Sequence, residues 1–465
     1  MFDIKGKYTT ATVHIDNLDP MTVGQITKMA SNPFFTEKIE IMPDTHAGKG
    51  SVIGFTMPLP GLKIIPNIIG VDIGCGVLSV KLKDVIRGSY NAKDIETMST
   101  IDDVIRENIP MGFNIRTNAK LTRDNIIMNN ILSQSQIEAK KFALTVKDKF
   151  KENILGKMPT YDLDYVEDVM ARTGVSLHRF YNSIGTLGGG NHFVEFGIDE
   201  NQEYWLTVHT GSRNFGNLVA KYWQGIAIEK LKTGGILIKQ EINAAIVDLK
   251  SKKQLNKIPE TIKRIKNSYK NTRVEDSDLA VLTGDDAVEY FYDMIFAQKY
   301  AEYNRACIAK TIFDKLGWSA DEDNTVESIH NFIDFEDLII RKGAIASYKS
   351  ELMIIPFNMR DGLLIVEGKS NPDWNFSAPH GAGRVLARGK AKRELNLDDF
   401  ENDMEGIYST SVVQSVLDES PRAYKDTDVI KEAIKPTCDV VYTIKPILNI
   451  KDKTEKKVWS KKKKV

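Results

Sequence analysis

The chain predicts an α+β fold: a single domain of mixed and antiparallel sheets around a central polar cleft, with helices outside. Three observations predict it. Short apolar runs broken by glycine turns fill residues 8–80 and return from 330 onward. Apolar residues spaced three and four apart dominate 91–182 and 218–317. Polar residues borne on turns recur at 44, 72–75, 191–195, 209–213, 330 and 380, which points to one domain converging on one site.

Taken in order, "SVIGFTMPL" and "GVLSVKL" read as strands, and "DNIIMNNILSQSQIEAKKFALTVKDKF" as a long amphipathic helix. "GTLGGGNHFVEFGI" and "YWLTVHTGSRNFG" then read as two strands, each meeting a glycine-rich turn beside a histidine. "LMIIPFNM", "GLLIVEG" and "VYTIKPILNIKD" return to strand character. The domain is expected over 1–451, with a helical segment at about 218–317 inside it and a lysine-rich tail at 452–465. Between Lys250 and Arg273 nine basic residues face one acid, Glu260, which reads first as a solvated helix face.

Composition excludes several classes. Lys+Arg and Asp+Glu balance at 63 each, so no global field marks a nucleic-acid binder, and such a partner must be held by local patches. The N-terminus "MFDIKGKYTT" lacks the apolar run of a signal peptide, and the longest apolar stretch is broken by Pro66, Asp72 and glycines. Three cysteines, Cys75, Cys307 and Cys438, stand far apart without CxxC spacing. The expectation is a cytoplasmic protein without a disulfide framework.

The chemistry gathers at five residues. "GVDIGCGV" sets Asp72 and Cys75 two residues apart in a glycine turn, where a carboxylate and a thiolate can face one point. "GGGNHFVEF" and "TVHTGSRNFG" add His192 and His209 at strand–turn junctions, and "SIHNFIDFED" adds His330. Each alone is more often structural. Together they form an O/S/N set suited to a borderline divalent metal, and five ligands with a bridging thiolate can hold two ions. "THAGKGSVIG" is no P-loop, because Pro43 and Gly50 break GxxxxGK[ST]. Its glycine turns still offer N–H groups to phosphate, and Arg213 and Arg384 can clamp phosphate oxygens.

"FSAPHGAGRVLAR" places His380 between a proline and small residues, where something else can approach it closely. It can serve as a sixth ligand, an acid or base, or a nucleophile oriented by the carboxylate of Asp44 in "IMPDTHAGKG". His46, two residues on, reads as a turn histidine bonded to backbone.

"MPDTHAGKG", "GVDIGCG", "GTLGGGNHFVE", "VHTGSRNFG", "HNF" and "APHGAGR", in this order, resemble the signature blocks of the RtcB-type RNA-splicing ligases, and "AYKD" and the last strand extend the likeness to about 451. The resemblance implies a GTP- and Mn(II)-dependent ligase that joins RNA 3′-phosphate or 2′,3′-cyclic phosphate ends to 5′-hydroxyls in RNA repair or tRNA splicing. It implies His380 as the nucleophile that takes GMP, Asp44 as its orienter, and two Mn(II) on Asp72, Cys75, His192, His209 and His330, bridged by Cys75. The GTP site it implies is Asn191, His192, Phe193, Val194, Glu195, His330, Asn331, Asn358, Met359, His380, Gly381, Ala382, Gly383, Tyr424 and Lys451. Arg213, Arg384 and Arg388 are expected to meet RNA, and an accessory activating protein is a further expected partner. "IPFNMRDG" at 355–362 departs from the family's Pro-Gly-Ser/Asp-Met-Gly turn, with Phe357 in place of a glycine, which points to a divergent bacterial or phage branch. The rival readings are a metal-dependent phosphoesterase, using His380 only as acid or base, and an RNA-binding accessory with a degenerate site.

Overall fold

The apolar runs pair into two principal sheets in the computed structural model, which describes residues 1–252, 254, 257–268 and 277–454. The first has six strands in the order Phe2–Lys5, Thr10–Val13, Ile39–His46, Ile53–Pro58, Ile339–Lys342 and Asn331–Asp334. Its one parallel pairing joins Thr10–Val13 to Ile39–His46. A parallel pair needs a crossover connection, and the helix Pro20–Ala30 supplies it. That helix opens on Asp19, whose carboxylate accepts from the Thr22 N–H, with Pro20 in the first turn where no amide donor is needed. The strand pattern of 8–80 hides it.

The second sheet is antiparallel throughout, in the order Ser319–Ile329, Gly76–Lys83, Tyr204–Thr210, Phe193–Ile198, Cys438–Ile450, Leu363–Gly368 and Leu352–Pro356. The fold is thus α+β, as the sequence predicts. A short antiparallel pair, Ala344–Ala346 with Ser377–Pro379, forms a separate two-stranded sheet and leads into His380.

Two long helices cover the sheets. Ile126–Phe150 and Asp285–Leu316 pack through rings such as Phe142 and Phe291, whose centroids are 5.5 Å apart. Ile308 and Ile312 of the second helix also enter the core formed by Leu78, Leu206 and Val208 of the seven-stranded sheet. Among the described residues no helix is long and apolar enough to cross a membrane. The 218–317 segment contains the helices Arg213–Ser251, Ile258–Ser268 and Asp285–Leu316. Residues 253, 255–256 and 269–276 of the basic stretch, and 455–465 of the lysine-rich tail, lie outside the described residues.

Candidate active site

Strand register brings four donor residues to one place. Ile329 pairs with Gly76, Gly76 with Thr210, and His209 with Phe193, so four adjacent strands end at the same edge. Cys75 precedes the first residue of one strand, His192 precedes another, His209 is the penultimate residue of a third and His330 follows the fourth. The backbone N–H of His330 donates to the Cys75 carbonyl at 2.9 Å, tying two of these ends together. The turn before Cys75 requires Gly74. Its φ is +71°, and a side chain there would lie 2.9 Å from the Gln298 Cα.

The donor atoms form two groups that share one sulfur. Cys75, His209 and His330 make one, and Asp72, Cys75 and His192 the other, with ligand atoms within 4.8 Å of one another in each group. Cys75 Sγ lies 3.5 Å from Nε2 of His192 and 3.5 Å from Nε2 of His209. His192 Nδ1 donates to the Leu187 carbonyl at 2.9 Å, so Nε2 faces Cys75 and, at 3.1 Å, an Asp72 carboxylate oxygen. His330 Nδ1 is buried with no hydrogen-bond partner. Burial, reinforced by the neighbouring imidazoles, holds His209 and His330 well below the usual histidine range. Burial and Asp72 push the Cys75 thiol up. Neutral imidazoles, a carboxylate and a sulfur that sheds its proton only to a strong cation are the donor set of a soft-to-borderline divalent metal, so these residues fit the ions the sequence implies.

The nucleophile candidate comes from the other side of the cleft. His380 follows the short strand Ser377–Pro379, and its Nδ1 lies 2.6 Å from Oδ2 of Asp44, which is fully buried in Ile39–His46. A carboxylate only accepts, so Nδ1 carries the hydrogen, and the lone pair of the neutral ring lies on Nε2. The His330 and His380 ring centroids are 4.8 Å apart, which sets this lone pair beside the donor groups. Gly383 is required here: its φ is +73°, and a side chain would meet the Asp44 carbonyl at 2.0 Å. His46 Nδ1 donates to the Asp44 carbonyl at 3.2 Å, the backbone-bonded histidine the sequence suggests, and burial lowers it to about 4.

A cavity of about 270 Å³ joins the two sides. Of the residues expected to hold nucleotide, Asn191, Phe193, Glu195, His330, Asn331, Asn358, Met359, His380, Gly381, Ala382, Gly383, Tyr424 and Lys451 line it. Val194 does not. Strand side chains alternate faces, so with Phe193 and Glu195 turned to the cavity, Val194 packs behind with Val208 and Ile450. Asn358 is spent on its own turn, accepting from the Arg360 and Asp361 amides and donating to Asp361. Met359 packs with Phe400, Met404 and Leu417.

Two of the three arginines expected on RNA are turned inward. Arg213 donates to Thr186 Oγ1 and the Gly112 carbonyl. Arg384 donates to the Leu386 carbonyl, Glu419 and Tyr424, with its ring contact to Tyr424 at 4.9 Å. A glycine neighbour does not tell which way a guanidinium faces. Arg388 lines the cavity and is 42% exposed, while paired with Asp418 and Glu419.

Four residues at the site escape the sequence reading. Glu419 is buried and gathers Lys451 at 3.2 Å, Arg384 at 3.3 Å, Arg388, and the Tyr424 hydroxyl at 2.7 Å. Burial alone would raise it, but these cations bring it down to about 2. Asn449 donates to Glu195 at 2.8 Å. It stands two residues before Lys451 on the last strand, a period-two signal that was available. Asn304 and Arg305, adjacent and fully buried on Asp285–Leu316, tie down the turns that carry the donors. Asn304 accepts from the Gly185 and Thr186 amides and donates to the Gly211 carbonyl. Arg305 donates to the carbonyls of Gly74 and Thr210, the residues flanking Cys75 and His209. A polar pair in an apolar helical stripe is their signal.

Comparison with known proteins converges on the same chemistry. A family model described as tRNA-splicing ligase RtcB matches residues 25–452. The chain is 28% identical to the RNA-splicing ligase RtcB of Escherichia coli (strain K12) over 452 residues, 92% of this chain and 93% of that one. It is 24% identical to the tRNA-splicing ligase RtcB of Nanoarchaeum equitans (strain Kin4-M), over 88% of this chain and 86% of that one. To the protein of the same description from Archaeoglobus fulgidus it is again 24% identical, over 90% and 88%.

Proposed function

The chain belongs to the RtcB family, an RNA ligase family, and from that premise we propose that it seals RNA 3′-phosphate or 2′,3′-cyclic phosphate ends to 5′-hydroxyl ends, using GTP and Mn(II). The observation that carries the reading is the Asp44–His380 pair, with a free Nε2 set beside two donor groups that share Cys75. Residues 1–451 act as one ligase domain in the cytoplasm, on broken or spliced RNA such as tRNA, with an accessory activating protein as a further partner.

Asp72, Cys75 and His192 would hold one ion and Cys75, His209 and His330 the other. When bound, Mn(II) neutralises phosphate charge and draws electron density from phosphorus. The lone pair of His380 Nε2 attacks the α-phosphorus of GTP; the N–P bond forms, the bond to the β-phosphate oxygen breaks, and pyrophosphate leaves. Asp44 keeps the Nδ1 proton in place throughout, stabilising the positive charge that develops on the ring. An oxygen of the RNA 3′-phosphate, freed from a cyclic end by water where necessary, next attacks the same phosphorus. The N–P bond breaks, His380 is restored, and the RNA end now carries a pyrophosphate link to guanosine. The 5′-hydroxyl then attacks the 3′-phosphorus, loses its proton to solvent or a nearby base, and displaces GMP. Gly381, Ala382 and Gly383 leave the space both partners need at His380.

The test is incubation with labelled GTP and Mn(II), followed by mass spectrometry. The expected result is a GMP adduct on His380, absent from His380→Ala and reduced at least about a hundredfold in Cys75→Ala, which loses the shared ligand. Opening of cyclic phosphate without any adduct would instead establish the phosphoesterase reading.

A further inference from the structure

Phe113 is the most exposed aromatic side chain among the described residues. Its side chain is 79% exposed, in the loop between the helices Ile95–Asn108 and Ile126–Phe150, whereas the other exposed phenylalanine, Phe2, is 37% exposed at the N-terminus. A large apolar ring in water costs free energy unless something covers it.

The loop that displays it is held fast. The Gly112 amide donates to the Gly188 carbonyl at 2.8 Å, and Arg213 donates to the Gly112 carbonyl at 2.8 Å. Arg179 donates to the carbonyl of Phe113 itself at 3.1 Å, and the Arg116 amide to the Asn182 carbonyl at 2.9 Å. Arg116 then uses its side chain on the Ile184 and Gly185 carbonyls. A ring on a backbone fixed at residues 112, 113 and 116 presents its face without paying to order the loop first.

Its position ties it to the cleft. Gly188, the partner of Gly112, has the His192 imidazole against it, and Gly189 packs on the Gly112 Cα. Two residues further, Asn191 lines the cavity, and the Arg388 guanidinium lies against Gly190. The glycine turn is therefore a common rim, with the donor groups on one side and Phe113 on the other. One acid, Asp452, also lies against Gly112. We infer that a strand of RNA ending at the donor groups leaves across this rim. With no net charge to attract it, single-stranded RNA gains most from stacking, since every base has a π-face.

We propose that Phe113 is a stacking platform for an unpaired base of the RNA, close to the end being sealed. The proposal rests on the ligase reading for the identity of its partner. Its test uses the full chain with short single-stranded RNAs carrying a 3′-phosphate, each labelled with 2-aminopurine near that end or made abasic there. In the parent, binding is expected to quench the 2-aminopurine, and the abasic RNA is expected to bind about fivefold or more weakly. Phe113→Ala is expected to remove both the quenching and the penalty for the abasic site, and to raise KM for RNA more than it lowers kcat; Phe113→Trp is expected to restore them. Equal RNA affinity in parent and Phe113→Ala, or the same abasic penalty in both, overturns the proposal and leaves the ring for a protein partner. Because quenching needs no turnover, it reads the platform even if no guanylate forms, and failure of the ligase reading shows separately as an unmodified, non-ligating parent.

Discussion

Two glutamates line one cavity, are equally buried, and are shifted in opposite directions. Glu195 has one neutral partner, the Asn449 amide, while its other oxygen is unpartnered. Burial pushes it up to about 8. Glu419 meets three cations and a tyrosine hydroxyl, and despite burial stands at about 2. Burial sets the size of the electrostatic stake; the neighbours decide which way it falls. One wall is complete in the protein alone; the other keeps a buried carboxyl oxygen without a partner, which on the proposed function a ligand with donors would satisfy. Guanine has them, in its N1–H and amino group.

The comparison breaks first at the complete wall. Glu419→Gln leaves Lys451 and Arg384 buried without their anion, and is expected to destabilise the protein by about 3–5 kcal/mol, read by chemical denaturation. Glu195→Gln imitates the protonated side chain and is expected to change stability by less than about 1 kcal/mol in the same measurement made near the ordinary carboxyl value of 4.5, where the parent carries its proton. Equal losses would erase the distinction between the walls.

The next test is GTP binding. If guanine donates to ionised Glu195, binding must expel a proton below about pH 8. GTP affinity is then expected to rise by up to about tenfold per pH unit through neutrality, with the dependence absent from Glu195→Gln. Titration calorimetry at several pH values checks it.

The last test is the pH profile of stability without ligand. Glu419 is depressed in the folded state, so its contribution is present above its ordinary 4.5 and is lost as pH falls toward about 2. Glu195 is raised, so its contribution is present below 4.5 and is lost as pH rises through about 8. Thermal melts are expected to weaken as pH falls below 4.5 and as it rises from 4.5 to about 8, and Glu195→Gln to flatten the second slope alone.

Much of this was legible in the sequence because strand ends are. Cys75, His192, His209 and His330 stand within a residue or so of strand termini, and antiparallel register carries such positions to a common edge. The alternation of Phe193, Val194 and Glu195 was equally legible, and it sends Val194 to the core. Glu419 was not legible, because its meaning lies in Lys451 and Arg384, which only tertiary folding brings to it. Nor was the direction of Arg213, whose partners at Gly112 and Thr186 are distant in sequence. The short helices Arg388–Glu394, Leu397–Asp403 and Thr427–Ala433 were masked by the strand character of the surrounding region.

The pair Asn304–Arg305 has a consequence for how the centre comes apart. A single helical turn grips the backbone beside Cys75, beside His209 and upstream of His192. The donors therefore cannot drift away one by one. Loosening that turn releases them as a unit, so loss of the ions on heating should be all-or-none, and should coincide with the melting of one helix.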